Sequence, residues 1–177
     1  LVAVDHIKGH IAANYVSENR PEPPYIAFVA SGGHTSIVRV NGYDSHTVIG
    51  GTRDDAMGEA FDKVARVMGM PYPGGAAMDK LAYEGKAVLP FPSAAIRDDS
   101  LDFSFSGIKT AVLNYINSTA QKGEELNRAD VAASFCRAAV SSVSTKLSLA
   151  IDRNPDIKAV ALAGGVAANS HLRAEME

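Results

Sequence analysis

Ile157 to Ala163 reads as an apolar strand that runs into Gly164-Gly165, and helical patterning resumes from Ala167 to Met176. Strand, glycine turn and helix in that order form the crevice that α/β folds use for nucleotides, because the free N–H groups at the turn can face a phosphate or a ribose. A second short apolar run, Tyr25 to Ala30, follows the break at Pro21-Glu22-Pro23-Pro24 and ends in Ser31-Gly32-Gly33-His34-Thr35. Its two glycines let the backbone approach a ligand closely, and the Ser and Thr hydroxyls add polar groups to the loop. An ordinary hairpin turn is the competing reading of either motif alone. Two such turns on two sheet edges fit a nucleotide held between them.

The remaining pattern completes an α/β chain. Thr35 to Val40 alternates as a strand, Asn41-Gly42 predicts a tight turn, and a third strand is expected near Ser45 to Gly50. From Asp54 the period changes: Ala56, Ala60, Phe61, Val64, Ala65 and Met68 share one helical face that ends at Gly69. Pro71 to Gly75 is a turn, Ala76 to Tyr83 a short helix, and Gly85 to Ser104 mostly loop. Helices are expected over Ser106 to Ile116 and Ala129 to Ile151. Leu1 to Val4 reads as the end of a strand and His10 to Ser17 as a helix whose start carries two histidines. There is no internal repeat.

Bulk properties exclude several classes. With 46% hydrophobic and 21% charged residues in 177, the composition is that of a globular protein. A formal net charge of -3 argues against nucleic-acid binding by bulk electrostatics, so any RNA contact must be local or supplied elsewhere. The single cysteine, Cys136, has no internal disulfide partner and lies in an apolar helical run, so a buried thiol in a reducing, cytoplasmic setting is expected. No stretch reads as a membrane span or a signal peptide. The chain opens at Leu1 inside an apolar run and closes at Glu177 inside a helical pattern, which reads as a fragment.

His6 and His10 stand four residues apart, a spacing that on a helix stacks both imidazoles on one face as a shared metal ion requires. Ile7, Lys8 and Gly9 stand between them, so the glutamate of an H-E-x-x-H peptidase is missing. Ser31 lacks a nucleophile-elbow context, and Cys136 lacks an activating one. Asp62, beside Phe61 on an amphipathic helix, reads first as a solvated charge. Asp79 follows the Tyr72-Pro73-Gly74-Gly75 turn, where a carboxylate can hold a ribose hydroxyl or an ammonium group.

Six motifs occur in order: His6-Ile7-Lys8-Gly9-His10, Val29 to Thr35, Gly58-Glu59-Ala60-Phe61-Asp62-Lys63, Tyr72-Pro73-Gly74-Gly75, Phe103-Ser104-Phe105-Ser106-Gly107-Ile108-Lys109-Thr110 and Gly164-Gly165-Val166-Ala167-Ala168-Asn169. Together they resemble the bacterial branch of the TsaD family, tRNA adenosine threonylcarbamoyltransferases formerly described as O-sialoglycoprotein endopeptidases of the glycoprotease family. The resemblance spans nearly the whole chain and about the middle half of a full-length member.

That resemblance implies an actin-like ATPase fold of the sugar kinase, Hsp70 and actin type, with a nucleotide between two α/β lobes. Residues 1–24 would end the N-terminal lobe, and 25–177 would form most of the C-terminal lobe, with a helical insertion and a truncated C-terminus. It implies a metal-dependent acyl transfer from threonylcarbamoyl-adenylate to the exocyclic amine of the adenosine next to the anticodon. His6 and His10 would be metal ligands, for one divalent ion, iron ahead of zinc. Ala30, Ser31, Gly32, Gly33 and His34 would line the adenylate or phosphate loop. Asp62, Gly75, Asp79 and Asn169 would bind the nucleotide or its ribose, an adenylate or ATP-type ligand. Implied partners are tRNA, TsaB-like and TsaE-like proteins and an upstream threonylcarbamoyl-adenylate synthase, with no membrane. The family's third metal ligand lies beyond Glu177 and its first phosphate motif before Leu1, so the isolated chain is expected to be inactive. The alternatives are the older metallopeptidase reading, disfavoured by the missing glutamate, and a non-catalytic TsaB-like partner, which should lack the histidine pair and the Gly58 to Lys63 motif.

Overall fold

A four-stranded sheet forms the centre of the computed structural model, which describes residues 5–16 and 20–177. The expected strand at Leu1 to Val4 lies outside the described residues. Strands β1 (Tyr25–Ala30), β2 (Thr35–Val40) and β3 (His46–Gly51) form the expected antiparallel meander, with a register shift between Ile37 and Val38. The fourth strand, β4 (Val160–Ala163), pairs parallel with β1, so that Ala27 lies opposite Ala161 and Val29 opposite Ala163. The order is β3-β2-β1-β4, which makes β1 an interior strand. That position explains the unbroken apolar run: all six β1 residues are buried, three on each face.

The two faces differ in cover. Ile26 and Phe28 look onto the main core with Met57, Phe61, Phe103 and Phe135. Against it pack α2 (Met57–Val67), α3 (Gly75–Ala82), α4 (Ser106–Gln121), α5 (Arg128–Asp152) and α6 (Ser170–Met176). Tyr25, Ala27 and Val29 face the other side, where a smaller cluster takes Ile11 of α1 (His6–Ala12). The Tyr15 and Tyr25 hydroxyls meet there at 3.0 Å.

The boundaries that differ most from the sequence expectations do so for local reasons. The first helix starts at His6 rather than His10, because Asp5 caps it by accepting the Lys8 N–H at 2.9 Å. Its last turn, Ala13–Val16, is 3-10, and Ser17 is outside the described residues. Helix α4 runs to Gln121 through polar residues. Thr119 is buried there and satisfies its hydroxyl on the Tyr115 carbonyl, and the chain turns away at Gly123 with φ 69°. Strand β4 starts only at Val160, because the chain is still turning at Ile157: its N–H closes on the Asn154 carbonyl at 3.1 Å, beside the Asp156 and Asn154 side chains gripped by Arg39. The stretch after the second glycine turn is a 3-10 turn, Gly165–Ala168, before α6 begins under its own cap, Asn169.

The long 85–105 connection is loop, as expected, but it is fastened from α5. Ser134 Oγ accepts from Leu89 N and Ser142 Oγ from Ala94 N, while buried Lys146 donates to the Ile96 and Ser100 carbonyls, both at 2.6 Å. Two motifs meet in one ion cluster: Lys63 of α2 and Lys109 of α4 both donate to Asp55, at 2.7 and 2.6 Å. Burial raises the Asp55 pKa, but the two ammonium groups outweigh it and hold the carboxyl below the usual range.

Candidate functional site

Because β1 and β4 run parallel as neighbours, the two glycine turns that end them come to lie side by side. They also lie tight against each other. Gly164 has φ 87°, and a Cβ there would overlap the carbonyl of Ala30. On the other side, a Cβ on Gly58 at the start of α2 would sit 2.5 Å from the Ser31 carbonyl oxygen. Thr35 Oγ1 accepts the Met57 N–H at 2.8 Å and fixes the same helix start. Glycines at these positions are therefore required by backbone approach, quite apart from any ligand.

Beside this junction opens a cleft of about 450 Å³, within the roughly 300–1,000 Å³ range of small-molecule sites. Gly32, Asp62, Gly75, Asp79 and Asn169 all line it. These are five of the nine residues expected at a nucleotide site, gathered from a loop, α2, α3 and the cap of α6. Phe61, Tyr72, Pro73 and Val166 supply its apolar walls. The lining carries two carboxylates and no lysine or arginine, so it favours groups that donate hydrogen bonds, such as sugar hydroxyls, over phosphate oxygens.

Each polar lining residue is already held by the fold. Asp62 accepts the Gly74 N–H at 2.7 Å and so shapes the turn before α3. Asn169 Oδ1 accepts the Leu172 N–H at 2.8 Å as the α6 cap, which leaves its amide Nδ2–H2 as the remaining donor. Asp79 spans from α3 to α6. It accepts from the Ser170 N–H at 3.1 Å, the Ser170 hydroxyl at 2.8 Å and the His171 ring Nδ1 at 2.9 Å. Burial pushes the Asp79 carboxyl up, and these donors more than offset it, so its pKa lies below the usual aspartate value.

The other four expected residues stand elsewhere. Ala30 is buried at the end of β1 with its carbonyl against Gly164. Ser31 Oγ turns back into its own loop, taking the His34 N–H at 3.2 Å and the Gly33 N–H at 3.4 Å. Exposed His34 points its ring toward the histidine pair, with the His6 and His34 centroids 5.9 Å apart. The loop therefore bridges two regions, Gly32 at the cleft and His34 near α1. His6 and His10 project from one face of α1, with their Nε2 atoms 3.1 Å apart. Among the described residues no group of three His, Cys, Asp or Glu side chains comes together as a metal site.

Sequence reasoning missed Phe61, Tyr72 and Val166 as lining, and His171 altogether. Tyr72 had a signal, a large aromatic in a Pro-Gly turn, and the structure leaves it 77% exposed. His171 had a weaker one, two places beyond a helix cap.

A sequence model of TsaD, described as tRNA N6-adenosine threonylcarbamoyltransferase, matches residues 1–177. The chain belongs to the TsaD family. The tRNA N6-adenosine threonylcarbamoyltransferase of Clostridium beijerinckii is 54% identical over 174 residues, covering 98% of this chain and 51% of that protein. The same enzyme of Clostridium perfringens strain SM101 is 52% identical with the same coverage. The chain thus spans about half the length of the curated relatives it matches. Among solved structures, component A of the Acidaminococcus fermentans (R)-2-hydroxyglutaryl-CoA dehydratase aligns with a TM-score of 0.54 at 17% identity, over 96% of this chain and 56% of that one. The activator of the Clostridium difficile 2-hydroxyisocaproyl-CoA dehydratase, solved with bound ADPNP, aligns at 0.55 and 15%, over 96% and 55%. These likenesses show the actin-like α/β fold for this chain. No helix among its described residues is long and apolar enough to cross a membrane.

Proposed function

We propose that the full-length protein transfers the threonylcarbamoyl group of threonylcarbamoyl-adenylate to the exocyclic amine of the adenosine next to the anticodon in tRNA. The observation that carries this reading is the convergence of Gly32, Asp62, Gly75, Asp79 and Asn169 on one cleft in a chain of this family. The adenylate's nucleoside enters the cleft. Asp62 and Asp79 accept from ribose hydroxyls, and the Asn169 side-chain amide donates. The phosphate side is met by backbone N–H groups of the two glycine turns, in keeping with the absence of cations in the cleft lining. The donor is already an activated mixed anhydride, so what the protein supplies is orientation and stabilisation of the departing adenylate. No covalent nucleophile is needed. Burial pushes the Cys136 thiol up to about 12, which fits a structural role for it.

The histidine pair fits a metal ion. Two nitrogens bound at about 2.0–2.1 Å to one ion stand roughly 3.0–3.4 Å apart, and the two Nε2 atoms are separated by 3.1 Å. His6 and His10 would hold one divalent ion, iron ahead of zinc by family resemblance, together with a ligand from the rest of the full-length protein. A bound ion supplies Lewis acidity toward the carbamoyl oxygen. The reading includes TsaB-like and TsaE-like partners, an upstream synthase and a cytoplasmic setting.

The test is formation of threonylcarbamoyladenosine in tRNA by the full-length protein with the synthase and partners supplied. Modification that depends on His6 is the expected result. A protein that binds nucleotide yet never modifies tRNA would overturn it.

A further inference from the structure

We infer that His171 is a positioning residue for the nucleotide cleft, holding Asp79 in the orientation that grips a ribose. The inference rests on the nucleotide reading of Asp79 given above and extends it to a residue outside every motif of the family resemblance.

The geometry is a relay across the α3–α6 junction. Asp79 lines the cleft from α3. A carboxylate offers about four lone-pair positions and no donor. On Oδ1 the His171 Nδ1 sits at 2.9 Å, with the His171 backbone N–H farther off at 3.4 Å. On Oδ2 the Ser170 hydroxyl sits at 2.8 Å, and the Ser170 N–H is shared by both oxygens at 3.1 Å. Because the carboxylate can only accept, His171 must carry its proton on Nδ1. Ser170 has one hydroxyl proton and gives it to Asp79, so the Tyr83 phenol, 2.9 Å from Ser170 Oγ, donates to the serine in turn. The Tyr83 ring also lies against the His171 imidazole, tilted by 33° with centroids 4.1 Å apart.

These contacts divide the labour between the two oxygens. Ser170 would pin the carboxylate to α6 through its N–H alone, and any residue at position 171 supplies the backbone N–H. The side chain of His171 adds the one strong donor on Oδ1. It fixes the rotation of the carboxyl group, so that the Ser170 N–H, shared at 3.1 Å, can fall to Oδ1 and free the second position of Oδ2 for a ligand hydroxyl. Tyr83 fixes the imidazole plane, so the donor is held in place before a ligand arrives.

The test compares the binding of ADP and 2′,3′-dideoxy-ADP by the full-length protein, by calorimetry, in the parent and in His171→Ala, His171→Asn, His171→Gln and Asp79→Asn. Asparagine places an amide N–H where Nδ1 lies, and glutamine places one near Nε2. The parent should prefer ADP, and His171→Ala should shrink that preference by about tenfold, as loss of a hydrogen bond to a charged group implies. His171→Asn should restore the preference, His171→Gln should not, and binding of the dideoxy nucleotide should stay constant throughout. A role in folding alone would weaken both nucleotides equally. If Asp79→Asn abolishes the preference while His171→Ala keeps it, the inference about His171 is overturned and the ribose role of Asp79 stands. If Asp79→Asn keeps the preference, the ribose reading itself fails. Should His171→Ala not fold, equal preference in His171→Asn and His171→Gln overturns the inference.

Discussion

The cleft and the histidine pair are built on opposite principles. Every polar residue expected in the cleft also holds the fold together: Asp62 shapes a turn, Asn169 caps α6, and Asp79 ties α3 to α6. The cleft is therefore organised before any ligand arrives. His6 and His10 meet each other through their Nε2 atoms and lie on a seven-residue helix, with His6 exposed. On the metal reading proposed above, an ion would complete their arrangement. Function and stability should be inseparable in one region and separable in the other.

The sharpest way to break this comparison is at the junction of the glycine turns. Gly164→Ala would place a Cβ against the Ala30 carbonyl at a φ of 87°, and we expect a loss of about 3 kcal/mol or more in urea unfolding. Gly165→Ala next door, with nothing within 4 Å of the added carbon, should cost less than about 1 kcal/mol. Equal effects would mean that the junction is not close-packed. In the other region, His10→Ala in the full-length protein should lower metal affinity by about 100-fold or more, measured by chelator competition, while apo-protein stability changes by no more than about 0.5 kcal/mol. A large stability loss there would erase the distinction between the two regions. Asp62→Ala should do both things at once. It leaves the Gly74 N–H unpaired, costing about 1–3 kcal/mol, and it weakens nucleotide binding in the same variant.

The same contrast explains what could be read from the sequence. The meander, the helices and the two glycine turns were legible because period, turn chemistry and apolar runs are local properties. The parallel pairing of β1 with β4 was not legible, since no local pattern reports a partner more than a hundred residues away, and the two turns read as lying on two sheet edges although β1 is an interior strand. Within the site, glycines and cap residues near strand ends could be picked out as candidates. Which of them share a wall depends on tertiary packing: Gly32 reaches the cleft, whereas Ser31 and His34, its neighbours, do not line it. The folding roles of Asp62 and Asp79 were invisible for the same reason. A solvated helix charge and a carboxylate that caps another element look alike until the second element is placed beside it. The role of Lys146 was hidden similarly: a lysine in an apolar helix gives no sign that two loop carbonyls await it.

The smallest expected effect comes from protonation rather than removal of a group, and it sharpens the comparison most finely. Asp79 has a folded-state pKa below its ordinary value of 3.8, because the donors on α6 favour the carboxylate more than burial disfavours it. The sign follows by linkage. The unfolded chain binds the proton more readily, so this contribution to stability is fully present above the unfolded value and is lost as pH falls from about 4 through the folded pKa. Unfolding free energy measured from pH 6 down to pH 3 should therefore fall more steeply for the parent than for Asp79→Asn, which has no proton to gain. His10→Ala should follow the parent curve over that range. If Asp79→Asn and the parent lose stability in parallel, the α3–α6 tie is not electrostatic in origin, and the preorganisation of the cleft must rest on the caps and the glycine junction alone.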